Sequence, residues 1–404
     1  AAAAAGRALL RVGINVDFAP NADVNVNPRN PVIAERSFSA DPAEAARHVA
    51  AFVGGLQEAG VAATAKHFPG HGDTQLDSHL ALPVLERTRE EFRRLELPPF
   101  RAAVAAGTAG IMTAHIVFSH LDPDLPATLS GKVLGPVLRG ELGFDGVIFT
   151  DALDMRAITE HHPPVRANIM ALSAGVDAPL NIGSVQHHAD IADGVDAAVA
   201  AGELDPELLH AARTRLQRLA ERFPAGVPDP AARDPDGEEV LREAARRGTV
   251  LRGALPRFSK ERPVTVVYQV RTMAHDATQQ IVNPGEDFAR LLKERGYRVV
   301  KISFLPGRLQ DERAVRDILE RVQPDSTVMY ASSGRELPAA EEVGLVRELA
   351  RRHPADFLHL AFWNPYHSLE LPGPALITFG FRQLQLEAAL AVLEGEPAPG
   401  TLPF

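Results

Sequence analysis

The sequence predicts two successive α/β domains, and three observations carry that reading. Strand-like segments near residues 12–18, 62–67, 110–115, 147–151 and 176–181 alternate with helical stretches, the rhythm of a parallel α/β sheet. Residues 223–237 hold four prolines and two glycines with little apolar content, the composition of a linker. Beyond them a second series of strands and helices begins, which suits an open α/β sandwich. The divisions are residues 1–222, a linker with a short helix over 223–248, and residues 249–404. A chain of 404 residues is too long for one average domain, and 45% hydrophobic with 23% charged residues is ordinary for a globular protein. The net charge of −10 argues against nucleic acid as a main partner. No run approaches eighteen apolar residues, so no membrane-spanning helix is expected. The absence of cysteine excludes disulfides, thiolate metal sites and a cysteine nucleophile, and says nothing of compartment.

Taken in order, residues 2–10 are alanine-rich and predict a helix, and residues 12–20 alternate apolar with other residues and end at Pro20, as a strand would. Asp17 and Asp23 follow as acidic groups whose expected work is to fix the loop after that strand. Glu35-Arg36-Ser37-Phe38 lies in a loop before a helix over residues 42–59. Small apolar residues 61–65 make a buried strand that delivers Lys66 and His67 at its end. Residues 87–106 read as one charged amphipathic helix, and 110–115 as a strand ending in His115. A helix over 132–140 leads to the strand 147–151, a helix through 169–172 to a short strand at 175–180, and residues 204–222 close the unit as a helix.

Residues 66–79 concentrate three histidines, two aspartates and a lysine in a segment broken by Pro69, Gly70 and Gly72. Three readings are open. One is a polar surface loop. Another is a metal site, for which His67, His71, Asp73, Asp77 and His79 are all potential ligands. Their spacing fits neither a helical His-x-x-x-His pair nor a Cys/His zinc pattern. The third is acid–base chemistry, with Asp77 orienting and charging His79 from two residues away on the same face of an extended segment.

Lys66-His67-Phe68-Pro69-Gly70-His71-Gly72 followed by Asp77-Ser78-His79 resembles the signature of glycoside hydrolase family 3. More narrowly, it resembles that family's bacterial β-N-acetylglucosaminidases, in which an Asp-Ser-His loop replaces the usual carboxylic acid. Thr150-Asp151-Ala152-Leu153-Asp154-Met155 is similar to a second family signature, in the required order. The resemblance implies an eight-stranded (β/α)8 TIM-type barrel for the first domain, with its N-terminal strands missing from this chain, because only five are visible. The missing part includes an Asp-Gln-Glu-Gly-Gly-Arg segment that normally binds sugar, which leaves the expected pocket incomplete. Residues 1–5 form neither an initiator methionine nor a signal peptide, so the true beginning is read as absent. The cytoplasm is favoured over secretion on that ground, and the oligomeric state is left open.

The chemistry that follows is a retaining, exo-acting β-N-acetylhexosaminidase on cell-wall muropeptides (as in peptidoglycan recycling) or chito-oligosaccharides, with a phosphorylase and a non-catalytic sugar-binding fragment as alternatives. Asp151 is the expected nucleophile, since it ends the continuously apolar run Val147-Ile148-Phe149, and barrel enzymes carry catalytic groups at the C-terminal ends of strands. Asp154 is the nearest rival, and Asp145 reads as a turn residue at the opposite end. His79 is the expected acid/base. A neutral imidazole cannot donate a proton, and Asp77 would keep it charged. The resemblance makes Arg36, Lys66, His67 and His115 sugar-binding residues, although His71, Asp73 and His115 could only hold loops in place. It implies no metal or cofactor. In the second domain, strands are expected at 264–270, 297–304, 326–331, 357–362 and 375–379, with helices at 286–295 and 337–351. Trp363, Tyr366 and His367 end one of those strands, with surface packing as the expected role.

Overall fold

The computed structural model describes residues 1–74, 81–275 and 278–404. The chain divides into two compact units, Ala1–Glu238 with Pro403–Phe404, and Glu239–Leu402.

Among the described residues of the first unit, the main sheet has five strands, all parallel and in chain order: β1 (Val16–Asp17), β2 (Ala62–Phe68), β3 (Gly110–Thr113), β4 (Val147–Ala152) and β5 (Ala178–Leu180). One face packs under helices. Pro42–Glu58, capped by Asp41 and started by Pro42, turns Ala45, Val49, Val53 and Leu56 inward at helical spacing. The other face is concave. Phe18, just past β1, meets Phe149 of β4 edge-on with ring centroids 5.3 Å apart, although two strands lie between them. Three spacings of a flat sheet would separate them by roughly 14 Å, so the sheet curls around this face. Gly110 makes room at the centre of the curl, because a Cβ there would stand 2.8 Å from the Phe149 ring. Leu216 and Leu219 of the helix Pro206–Arg222 pack against the same cluster of Met112, Val147 and Phe149.

Two expectations for this unit need correction, and one helix was missed. The strand expected over 12–20 is only Val16–Asp17, since the chain turns into a cis Ala19–Pro20 peptide and a loop. The single helix expected over 87–106 is two, Arg89–Leu95 and Leu97–Ala105. Pro98 and Pro99 lack the N–H groups that would continue the ladder, and Glu96 turns inward at the break. A helix at Val185–Ala200, capped by Ser184, went unrecognised in the sequence.

The second unit is a six-stranded sheet in the order β8 (Val299–Phe304), β7 (Val264–Gln269), β9 (Thr327–Ser332), β10 (Phe357–Ala361), β11 (Ala375–Ile377) and β6 (Val250–Arg252). Only β6 is antiparallel to its neighbour. Helices Pro284–Glu294 and Gln383–Leu393 pack on one face through Phe288, Leu292, Leu386 and Leu390, and Glu312–Glu320 and Ala340–Arg352 on the other through Ile318, Leu345 and Leu349. Trp363, Tyr366 and His367 are buried rather than superficial. Trp363 packs on Phe381 with 4.9 Å between centroids, and the His367 Nε2 donates to the Glu336 carbonyl at 2.7 Å.

Candidate active site

The two irregularities of the main sheet fall on the residues of interest. Pairing of β2 with β3 slips between Lys66 and Phe68, at His67, and pairing of β4 with β5 slips between Phe149 and Ala152, at Thr150 and Asp151. Bulges of this kind bend a strand end and re-aim its side chains. Asp151 therefore leaves the ladder at the C-terminal end of β4. Thr150 pins that end by accepting the Leu180 N–H at 2.8 Å, and the Ala152 N–H donates to Asp151 Oδ1 at 2.8 Å. Burial pushes the Asp151 pKa up, but His67, His115, the Ala152 N–H and Lys66 outweigh it and hold the carboxyl below the ordinary aspartate value.

His115 is held at both ring nitrogens. Its Nε2 donates to the Ala152 carbonyl at 2.9 Å and its Nδ1 meets the Thr128 hydroxyl at 2.8 Å, so the ring braces the residue after Asp151. Lys66, half-buried on β2, has its pKa lowered by burial and by the charge of Arg36, against the pull of Asp151, Asp17 and Asp23. Arg36 ends the short turn Ala34–Arg36 and donates to the Val32 carbonyl at 3.2 Å.

Asp23 organises the floor of the site. It is 1% exposed, and its carboxylate accepts four hydrogen bonds: from the His67 N–H at 3.1 Å, the His71 N–H at 2.8 Å, the His67 Nδ1–H at 2.8 Å and Asn21 Nδ2 at 2.8 Å. Burial pushes its pKa up, and His67 and His71 more than reverse that. An acceptor-only carboxylate at Nδ1 fixes the proton there in neutral His67, which leaves Nε2 as the lone-pair nitrogen. His71, fully buried against Thr74, has its pKa pushed down to about 4 by burial and is neutral at physiological pH. Gly72 passes so close to the Val24 backbone that a Cβ would lie 1.8 Å from the Val24 carbonyl oxygen.

Of the expected site residues, Lys66, His67, His115 and Asp151 are brought together, and the charge of Arg36 reaches Lys66. Asp77 and His79 lie outside the described residues. Asp154 is turned away into the loop after β5, accepting the Ile182 N–H and pairing with His187 at 3.1 Å. Asp145 pairs with Arg215 and Arg218 on the surface. Among the described residues no three His, Asp or Glu side chains group as a metal site, and no helix is long and apolar enough to cross a membrane. The bracing role of Thr128 was missed, because nothing in the sequence links it to His115. A desolvated but ionised carboxylate, flanked by an ammonium and two imidazoles, can attack an electrophilic carbon while its neighbours hold hydroxyl groups.

The family model for the glycosyl hydrolase family 3 N terminal domain matches residues 1–219. Beta-hexosaminidase A of Pseudoalteromonas piscicida is 40% identical over 242 residues, 55% of this chain and 40% of that protein. The chain thus spans about two fifths of that relative's length. A beta-N-acetylglucosaminidase/beta-glucosidase of Cellulomonas fimi is 30% identical over 444 aligned positions, which take in 100% of this chain and 76% of that protein. The solved structure of a glycoside hydrolase family 3 beta-N-acetylglucosaminidase from Paenibacillus sp. str. FPU-7 superposes with a TM-score of 0.88 at 33% identity, covering 100% of this chain and 79% of that one. With the model match spanning the whole five-stranded sheet and the likeness to the Cellulomonas and Paenibacillus proteins running through both units, the chain belongs to glycoside hydrolase family 3.

Proposed function

We propose that this chain carries the active site of a retaining, exo-acting β-N-acetylglucosaminidase acting on glycans that contain N-acetylglucosamine, such as muropeptides or chito-oligosaccharides. The observation that carries the reading is Asp151, a carboxylate at the C-terminal end of β4 that stays ionised although it is largely removed from water. Such a group attacks the anomeric carbon and forms a glycosyl–aspartate ester, which water then opens with retention. His79, charged by Asp77, donates a proton to the leaving oxygen and later takes one from the incoming water. Lys66, Arg36 and His67 Nε2 hold sugar hydroxyls in the pocket, and His115 fixes the backbone that aims Asp151. The names of the relatives support the substrate class.

Turnover of a chromogenic β-N-acetylglucosaminide against the matching β-glucoside, with and without inorganic phosphate, tests this. The expected result is preference for the N-acetylglucosaminide and release of the free sugar. A sugar 1-phosphate as main product would make the chain a phosphorylase, and turnover of the glucoside alone would overturn the substrate class.

A further inference from the structure

Three ionisable side chains meet beside the His67–Thr74 turn and have no part in the chemistry above. Arg87 Nη2 lies 2.5 Å from Asp73 Oδ2, and Arg87 Nε lies 3.1 Å from Glu96 Oε1 without the alignment of a hydrogen bond. Glu96 is 1% exposed, at the break between helices Arg89–Leu95 and Leu97–Ala105. Its Oε2 presses on the turn, because a Cβ on Gly70 would come within 2.5 Å of it. Below it, Leu97, Phe100 and Ala103 are locked in the core, with Phe100 edge-on to Phe68 at the end of β2, 5.3 Å between centroids.

Burying a guanidinium between one carboxylate and one carboxyl group that burial keeps largely protonated carries a desolvation penalty that a simple surface brace would avoid. The sequence positions suggest why it is kept. Asp73 precedes and Arg87 follows the segment that carries Asp77 and His79, so their ion pair joins its two flanks, and Glu96 ties that joint to a helix fixed in the core. We infer that Arg87 is a positioning residue for the acid/base pair, holding the flanks of the Asp77–His79 segment at a set separation from the β2 strand end. The inference rests on the role proposed above for His79. Burial raises the Glu96 pKa to about 8 against the pull of Arg87, so near neutral pH Glu96 is largely protonated and the guanidinium charge is committed to Asp73. A lysine could not serve both partners, since only the planar fork presents nitrogens in two directions.

The test is single-turnover glycosylation by Arg87→Met, on N-acetylglucosaminides with a good and a poor leaving group, well below the unfolding temperature. His79→Ala runs beside it. A displaced acid should cost the poor leaving group about 10- to 100-fold and the good one much less. Asp73→Asn, at a more exposed position, should move rates the same way and carries the test should Arg87→Met not fold. Equal losses on both substrates in the Arg87 or Asp73 variant, while His79→Ala discriminates between them, would overturn the inference and leave the His79 role intact. Failure of His79→Ala itself to discriminate would remove the acid assignment and the inference with it.

Discussion

Asn at position 23 would preserve the shape of the buried carboxylate and remove its charge. The two backbone donors, His67 N–H and His71 N–H, both converge on Oδ1, so the amide oxygen must stay there. The new NH2 then faces His67 Nδ1 and Asn21 Nδ2, where two donors already point. His67 can answer by moving its proton to Nε2 and accepting at Nδ1, which reverses the polarity of the nitrogen that faces the pocket. Two charge-assisted bonds become one neutral bond and one opposed donor pair. At about 1.5–3 kcal/mol for a hydrogen bond to a charged group, the first unit should lose about 3 kcal/mol at neutral pH. The pH dependence follows in sign. The folded-state pKa of Asp23 lies below its reference value of 3.8, so its contribution is complete above that pH and is lost as pH falls through the folded pKa. The gap between wild type and Asp23→Asn should therefore narrow in acid. Asp23→Asn also loosens the hold on His67, the first of the neighbours that keep the Asp151 pKa down. The acidic limb of kcat/KM should accordingly move to higher pH. Urea unfolding at several pH values and a pH–rate profile measure both effects. A stability change within about 0.5 kcal/mol together with an unmoved acidic limb would refute the assignment of Asp23 as organiser of the site.

Two further outcomes are expected. Gly72→Ala forces a Cβ to 1.8 Å from the Val24 carbonyl oxygen; the backbone must part, at a cost of about 3 kcal/mol or more, visible as a lowered thermal midpoint, and an unchanged midpoint would contradict the close approach. Asp77→Asn should shift the basic limb of kcat/KM to lower pH by about one to three units while the acidic limb stays put; a basic limb that does not move would separate Asp77 from the acid.

The strand ends were legible because apolar runs stop abruptly at polar residues: Val147-Ile148-Phe149 ahead of Thr150 and Asp151, and Val61 to Ala65 ahead of Lys66. The structure places Lys66, His67, His115 and Asp151 about one another. The Val185–Ala200 helix was not legible, since Asp190, Asp193, Gly194 and Asp196 interrupt its apolar pattern and it buries only Ile191 and Ala198. Glu96 read as one more charge on an amphipathic helix, and the prolines at 98 and 99 were the only sign that the helix would break and turn it inward. Asp23 was read as fixing the loop after the first strand, and its carboxylate instead ties the His67–His71 turn of the next strand to that loop. Its partners could not be found by local pattern, for His67 and His71 lie 44 and 48 residues away. Long-range polar closure of this kind depends on the finished packing and leaves no periodicity in the chain.

The account turns on Asp151 as the group that becomes covalently attached to sugar. Mass spectrometry of peptides from protein incubated with a slow, fluorinated N-acetylglucosaminide measures this directly. The expected result is one added glycosyl mass on the peptide containing residues 147–155, localised by fragmentation to Asp151 and absent in Asp151→Ala. A label on Asp154, or full turnover by Asp151→Ala, would contradict it.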